Sequence, residues 1–175
     1  MSGLNKGVGK VEVALKWDPS PVGEPDHDLD IIAATYTADD PHGAPAYLVH
    51  FDSRSPDGTI TLNRDSRTGQ GFGYDEVMTL ELTRLADRYA RVVVGIAIQQ
   101  RSGHLTFGRI GGAGLRIREG VSTLSEHGFA EVADSTAATV AEFVRDEESA
   151  WSVRFPLRGY DTDPGDFAAV MGASD

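Results

Sequence analysis

The sequence contains no cysteine among its 175 residues, and this absence removes several classes of chemistry. Disulfide bonds, zinc–thiolate centres and thiol nucleophiles all need the cysteine sulfur. The absence also fits a reducing compartment, where disulfides are rare. We therefore expect a cytoplasmic protein that folds without covalent cross-links, since a chain of this length buries roughly 70% of its unfolded surface.

Long hydrophobic runs and a basic surplus are missing as well. The longest apolar stretch, residues 92–98, is far shorter than the roughly 20 residues of a membrane-spanning helix. Met1 is not followed by the apolar core of a signal peptide. The formal net charge is −11, from 16 basic and 27 acidic residues. That field repels nucleic acid and anionic lipid and attracts cations, so we expect no nucleic-acid partner and no membrane span.

Familiar catalytic motifs are also absent. The sequence has no G-x-S-x-G and no P-loop, and its 5 histidines show no H-E-x-x-H spacing. Gly69, Gly71 and Gly73 precede a predicted strand instead of a helix, which argues against a dinucleotide site. A glycosidase would need two carboxylates in an open groove, which sequence alone does not test. We predict that the protein is not an enzyme.

Alternating apolar and polar residues predict many short strands. In residues 11–17, Val11, Val13 and Leu15 fall on one face, as in a half-buried strand. Residues 28–37 and 91–99 are rich in apolar residues and predict buried strands. Further strands are predicted at 47–51, 59–62, 77–82, 105–110, 115–118, 139–145 and 151–158, with two short β pieces within 122–132.

Turn signals separate these strands, and only residues 84–89 and 166–171 suggest short helices. Such a pattern is typical of a β-sandwich. The predicted fold is all-β: a β-sandwich of two mainly antiparallel sheets with a long structured loop and at most short helices. No repeat or change in composition marks a boundary, so residues 1–175 are predicted to form a single domain.

The long loop is the stretch from His50 to Glu76. It contains four glycines and four aspartates, without a long apolar run or a helical period. Connections of this length are usually functional or disordered. Its turn chemistry is too varied for low-complexity disorder. We predict a structured, oxygen-rich loop that holds a cation.

Acidic residues cluster in two parts of the chain. Asp26, Asp28 and Asp30 share one face if their segment is extended. The loop supplies a second group, which comprises Asp57, Asp65, Asp75 and Glu76. Calcium takes about six to eight oxygen ligands, although EF-hand spacing is absent here. From spacing alone, Asx-turns and pairing with arginine are the stronger alternative.

Short motifs along nearly the whole chain resemble the TerD family of tellurium-resistance and stress-response proteins. They are Lys16-Trp17-Asp18, Asp28-Leu29-Asp30, Ser55-Pro56-Asp57-Gly58, Asp65-Ser66-Arg67-Thr68-Gly69, Gly71, Gly73, Asp75-Glu76, Phe107-Gly108 and Gly159-Tyr160. The resemblance implies a β-sandwich, calcium binding at the acidic loops and a cytoplasmic location. It also implies a role in stress resistance without established catalysis, and other stress-response proteins are potential partners.

The implied metal ligands are six carboxylates: Asp28, Asp30, Asp57, Asp65, Asp75 and Glu76. The loop departs from the family pattern, because Gln70, Phe72 and Tyr74 replace expected carboxylates and Arg64 replaces a glycine. These changes should weaken calcium binding. The alternative hypothesis is a degenerate, metal-free paralogue that serves as a protein-interaction scaffold. In it, Arg64 or Arg67 would neutralise the aspartates, and Phe72 and Tyr74 would anchor a partner.

Four arginines on two predicted strands would form a basic stripe if the strands were neighbours. They are Arg116, Arg118, Arg154 and Arg158, all on outward-facing positions. A solvated face paired with the excess acid is the simpler interpretation than a phosphate site.

Overall fold

The computed structural model describes residues 7–66, 68–70, 73–100 and 103–173. These residues form eleven β-strands and one α-helix. In chain order the elements are β1 (Lys10–Lys16), β2 (Leu29–Thr37), β3 (Tyr47–Val49), β4 (Ile60–Arg64), β5 (Glu76–Glu81), β6 (Tyr89–Ile98), β7 (Gly114–Glu119), β8 (Ser122–His127), β9 (Ala137–Arg145), β10 (Trp151–Arg154), β11 (Arg158–Tyr160) and α1 (Pro164–Val170).

The strands build two antiparallel sheets that face each other. One sheet has the order β4–β5–β1–β7–β8, and the other has the order β10–β9–β6–β2–β3 with β11 also paired to β9. Their facing sides contribute fully buried residues to one core, such as Val13, Met78, Ile31 and Val94. The structure therefore confirms the predicted all-β sandwich with at most short helices.

Three predicted strands differ in the structure, including the second β piece within 122–132, where Ala130–Val132 form a 3-10 helix. The alternation over residues 105–110 predicts a strand, but Phe107–Arg109 form a 3-10 helix. The Phe107 ring stacks on Phe129, with centroids 4.6 Å apart. The apolar side chain is therefore buried although the segment does not pair as a strand. The predicted strand over 151–158 is split into β10 and β11, because Pro156 lacks the N–H that a ladder requires.

A second apolar cluster covers the outer face of the six-stranded sheet, beneath α1. Phe167 of α1 is 0% exposed and packs in the same cluster as Tyr36 of β2. Gly95 of β6 leaves room for this ring, because a Cβ there would collide with Phe167. Asp163 caps α1 by accepting the N–H of Asp166 at 2.8 Å. Within the described residues, no helix has the length and apolar character needed to cross a membrane.

A buried ion pair ties α1 to the same sheet. Nε of Arg91, on β6, donates to Oε2 of Glu142, on β9, at 2.7 Å. Nη1 of Arg91 donates to the carbonyl oxygens of Pro41 at 2.8 Å and Gly172 at 2.7 Å. Oε1 of Glu142 accepts from Nε of Arg154, on β10, at 2.9 Å. The network thus joins three strands, the loop after β2 and the end of the helix.

Acidification is expected to remove stability that Glu142 contributes. Burial raises the pKa of this carboxyl, but hydrogen bonds and charges from Arg154 and Arg91 outweigh burial and hold the pKa below its ordinary value. Such a group stabilises the fold above its unfolded pKa, about 4.3, and this stability is lost as the pH falls through the folded pKa. Urea denaturation between about pH 6 and about pH 3 should show a steeper loss in the unaltered protein than in Glu142→Gln. Equal slopes would contradict this assignment.

Candidate metal centre

Glu76, the first residue of β5, places a carboxylate on the core-facing side of its sheet. The buried residues of β5 are Glu76, Met78 and Leu80, so the strand alternation directs Glu76 inward. Oε1 of Glu76 accepts the N–H of Ile31, on the facing sheet, at 2.6 Å. Oε2 is also buried and accepts no hydrogen bond from an N–H group of the described residues. A buried polar atom in this state is costly, and an ion or water commonly accounts for it.

Two aspartates meet Glu76 at this end of the sandwich. Asp30, the second residue of β2, is buried, and its Oδ2 accepts from Nε2 of Gln99 at 2.6 Å. Asp65 follows β4 and is exposed. One carboxylate oxygen from each of these three residues lies within 4.8 Å of the other two. The structure therefore brings together three of the six predicted ligands, a group that we call the acidic cluster.

The acidic cluster is electrostatically unfavourable without a counter-charge. Burial raises the pKa of Glu76 to about 10; the N–H of Ile31 opposes this rise, whereas the charges of Asp30 and Asp65 and a side-chain hydrogen bond with Asp65 add to it. A cation among the oxygens would offset both burial and repulsion. Calcium binds oxygens at about 2.3–2.6 Å, so the ligands of one ion lie a few ångströms apart, as these oxygens do. The donor set is all oxygen, which suits a hard cation.

Asp75 is buried and directly precedes Glu76 in the chain, but it is not part of the acidic cluster. Its Oδ2 accepts the N–H of Trp17 at 2.9 Å, and its Oδ1 is buried without a hydrogen-bond partner among the described residues. Burial raises the pKa of Asp75, the N–H of Trp17 and the charge of Arg64 oppose the rise, and the charge of Asp18 adds to it. Asp75 therefore anchors the end of the long loop to β1.

Asp28 and Asp57 also lie outside the acidic cluster. Asp28 is buried, and its carbonyl oxygen accepts the N–H of Gln99 at 2.9 Å, which extends the pairing of β2 with β6. Asp57 is exposed, and its Oδ1 accepts the N–H of Thr59 at 3.1 Å and the hydroxyl at 2.7 Å. Slight burial raises the pKa of Asp57, but these hydrogen bonds outweigh it and lower the pKa. Asp57 thus makes the Asx-turn that the sequence offered as an alternative.

One of the two arginines suggested to replace calcium, Arg64, has its charge placed near another carboxylate. Arg64 is exposed at the end of β4, and the ion pairs of the described residues include none between Arg64 and Asp28 or Asp30. Its charge acts instead on Asp75. The other suggested arginine, Arg67, lies outside the described residues.

Tyr74 is not a free anchor for a partner. Its ring is half-buried, with Nζ of Lys16 at 5.6 Å and the guanidinium of Arg116 at 4.5 Å from the ring centroid. These cation–π contacts hold Tyr74 on the outer face of the five-stranded sheet. Phe72, the other proposed anchor, lies outside the described residues.

The predicted basic stripe does not form. Arg116 and Arg118 belong to β7 of the five-stranded sheet. Arg154 and Arg158 belong to β10 and β11, which pair with β9 in the other sheet. Two of the four arginines therefore lie in one sheet and two in the other.

Gln99 is a site residue that the sequence reasoning missed. It directly follows β6 and holds Asp30 through its side chain and Asp28 through its main chain. A signal was available, because the apolar run of β6 ends at a glutamine. For Glu76 the signal was the alternation itself, since the period that buries Met78 and Leu80 also buries Glu76.

The fold and the acidic cluster define a β-sandwich protein with a candidate cation site formed by the start of β2, the start of β5 and the residue that follows β4. A model of the TerD domain matches residues 1–169. The chain belongs to the TerD family.

Relatives and solved structures agree with this assignment. Two relatives named "Tellurium resistance protein TerD", from Alcaligenes sp and Serratia marcescens, are 25% and 24% identical over 154 residues, covering 86% of this chain and 80% of each relative. The structure of SCO6318 from Streptomyces coelicolor A3(2), described as a homologue of telluride resistance protein (TerD), is 55% identical, with a TM-score of 0.95 over 97% of this chain and 100% of that chain. The crystal structure of SAV2460, of unknown function, is 62% identical, with a TM-score of 0.95 over 97% and 99%.

Proposed function

We propose that this tellurium-resistance-like protein binds calcium through Asp30, Asp65 and Glu76, and that it acts in stress resistance by binding and not by catalysis. Two observations carry the proposal: one carboxylate oxygen from each of Asp30, Asp65 and Glu76 lies within 4.8 Å of the other two, and the buried Oε2 of Glu76 accepts no hydrogen bond from a described N–H group. Calcium would supply the positive charge that this arrangement needs. Water or backbone carbonyls would complete its shell of oxygens.

The cellular role is proposed from the relatives. Two of them are named for tellurium resistance, and each matches most of this chain. We place the protein in the cytoplasm and expect its partners among other stress-response proteins. The net charge of −11 favours cations over nucleic acid as ligands.

A second candidate function is a metal-free scaffold for protein interactions. It is favoured by the placement of Asp28, Asp57 and Asp75 outside the acidic cluster and by the neutral donor that Gln99 already provides to Asp30. Fewer anionic ligands lower calcium affinity. The two functions differ in whether calcium stabilises the fold.

Calcium titration of metal-free protein is expected to release or absorb heat and to raise the melting temperature. A ligand at about 100 times its Kd adds about 2.7 kcal/mol to the free energy of unfolding. Asp65→Asn should weaken binding by about tenfold or more, because it removes one anionic ligand. Asp57→Asn is the matched control, since it makes the same exchange at an exposed aspartate outside the cluster.

Two outcomes would contradict calcium binding at the acidic cluster. Absence of heat and of thermal stabilisation at millimolar calcium would remove the calcium function and leave the scaffold. Equal weakening by Asp57→Asn and Asp65→Asn would show that calcium responds to general charge and does not bind at the acidic cluster.

A further inference from the structure

The far end of β2 carries a second charged site, of opposite sign to the acidic cluster. A polar cavity of about 160 Å³ opens there on the outer face of the six-stranded sheet. Arg91, Arg154, Arg158 and His42 line it, and Glu142 is the one acidic residue among its described lining. This collection of guanidinium groups stands out in a chain whose net charge is −11.

The two charged sites are well separated. Asp30 lies near the start of β2, whereas Tyr36, near its end, pairs in register with Arg91. Six residues of extended strand span about 20 Å. Helix α1 lies between the sites, because Pro164 and Ala168 line a pocket beside Asp30 and Met171 lines the arginine cavity.

Arg91 forms the fixed base of the cavity. Its side chain is only 8% exposed, and Glu142, Pro41 and Gly172 hold Nε and Nη1. The carbonyl of Gly172 follows the C-terminal end of α1, where the helix dipole favours a cation. Nη2 of Arg91 has no acceptor among the described residues. A rigid guanidinium with a remaining N–H pair is a preorganised donor for an oxyanion.

Among the described residues that line this cavity, guanidinium groups outnumber carboxylates. Glu142 is shared, because its Oε2 accepts from Arg91 and its Oε1 accepts from Nε of Arg154. One carboxylate therefore faces two guanidinium groups. Nη1 of Arg154 makes no hydrogen bond to the described residues, and this side chain is 75% exposed, so it is accessible to a ligand. An excess of positive charge in a concave site concentrates anions.

We infer that this cavity binds a small, doubly charged oxyanion of the inorganic phosphate class. Arg91 supplies a fixed guanidinium group, and Arg154 supplies an exposed one. Thr139 and His42, which also line the cavity, add polar groups that suit oxyanion oxygens. Planar guanidinium groups recognise such oxygens in pairs, which an ammonium group does not reproduce. The site is independent of calcium.

The test is a titration of the calcium-free full-length chain with inorganic phosphate at low ionic strength, followed by calorimetry and by NMR. Saturable binding at one site is expected. Arg154→Ala should weaken it by about tenfold, the effect of one lost charge-assisted hydrogen bond. Arg84→Ala is the matched control, because it removes one exposed arginine that does not line the cavity. It should leave the affinity within about twofold, since distant exposed charges are screened.

Two further measurements test how the anion is recognised, one with a lysine variant and one with a different anion. Arg154→Lys keeps the charge but loses the planar fork, so it should also weaken phosphate binding if recognition is bidentate. Acetate represents a protein carboxylate, and equal affinity for acetate and phosphate would overturn the preference for a doubly charged oxyanion. The inference is likewise overturned if phosphate does not saturate at millimolar concentration, or if Arg84→Ala weakens binding as much as Arg154→Ala. Thermal unfolding curves confirm that each variant is folded.

Discussion

Exchanging Glu76 for glutamine is expected to lower calcium affinity by about a hundredfold, because it removes the most buried anionic ligand of the acidic cluster. The free energy of unfolding of the calcium-free protein should change by less than about 1 kcal/mol, since glutamine retains the shape and the acceptor for the N–H of Ile31. Calorimetric titration gives the affinity, and urea denaturation gives the stability.

The control for this exchange lies on the same strand. Glu81→Gln alters the last residue of β5, whose carboxylate pairs with Arg84 at 2.9 Å, and it should leave calcium binding unchanged. Wild-type calcium affinity in Glu76→Gln would show that Glu76 is not a ligand. A loss of several kcal/mol in calcium-free Glu76→Gln would show instead that its charge serves the fold.

Replacing Phe167 with alanine is expected to cost about 4 kcal/mol of stability, the largest effect predicted for a single side chain in this protein. Phe167 is 0% exposed, and its ring lies 5.3 Å from that of Tyr160. Its removal leaves a cavity above Gly95, where the sheet has no side chain to fill the space. Because α1 contributes few other fully buried residues, the helix should detach from the sheet at the same time.

Guanidinium denaturation measures this loss, and hydrogen exchange of the α1 amides reports the detachment. Val170→Ala is the matched control, because Val170 is 38% exposed on the same helix and should cost less than about 1 kcal/mol. If Phe167→Ala cost no more than Val170→Ala, the helix would not be held by this ring, and the network of Arg91 would have to hold it instead.

Much of the fold was predictable because its strands alternate. The period of two placed Val11, Val13 and Leu15 in the core, and the β-branched run of β6 marked a strand buried on both faces. The alternation failed at Phe107, where a few apolar residues suit a strand and a buried turn equally well. Only the stacking partner, Phe129, distant in sequence, selects the turn.

The sequence predicted that the candidate site consists of carboxylates, but it did not predict which of them come together. The sequence identified six carboxylates, and three of them converge. Asp57 and Asp65 both lie in the long loop, yet one caps a turn and the other reaches Glu76. The difference arises because β4 pairs with β5, which carries the end of β4, and not its beginning, to the start of β5.

The sequence alone determined the sandwich class, the acidic character and the resemblance to the TerD family, because alternation, charge and short motifs are local properties. Only the tertiary structure decided which charges meet. It gathered Asp30, Asp65 and Glu76 at one end of β2, and it gathered Arg91, Arg154 and Arg158 near the other. Asp30 is distant in the chain from Asp65 and Glu76, and Arg91 is distant from Arg154 and Arg158. The packing of the two sheets brings the first group together, and the antiparallel pairing of β9 with β6, β10 and β11 brings the second group together.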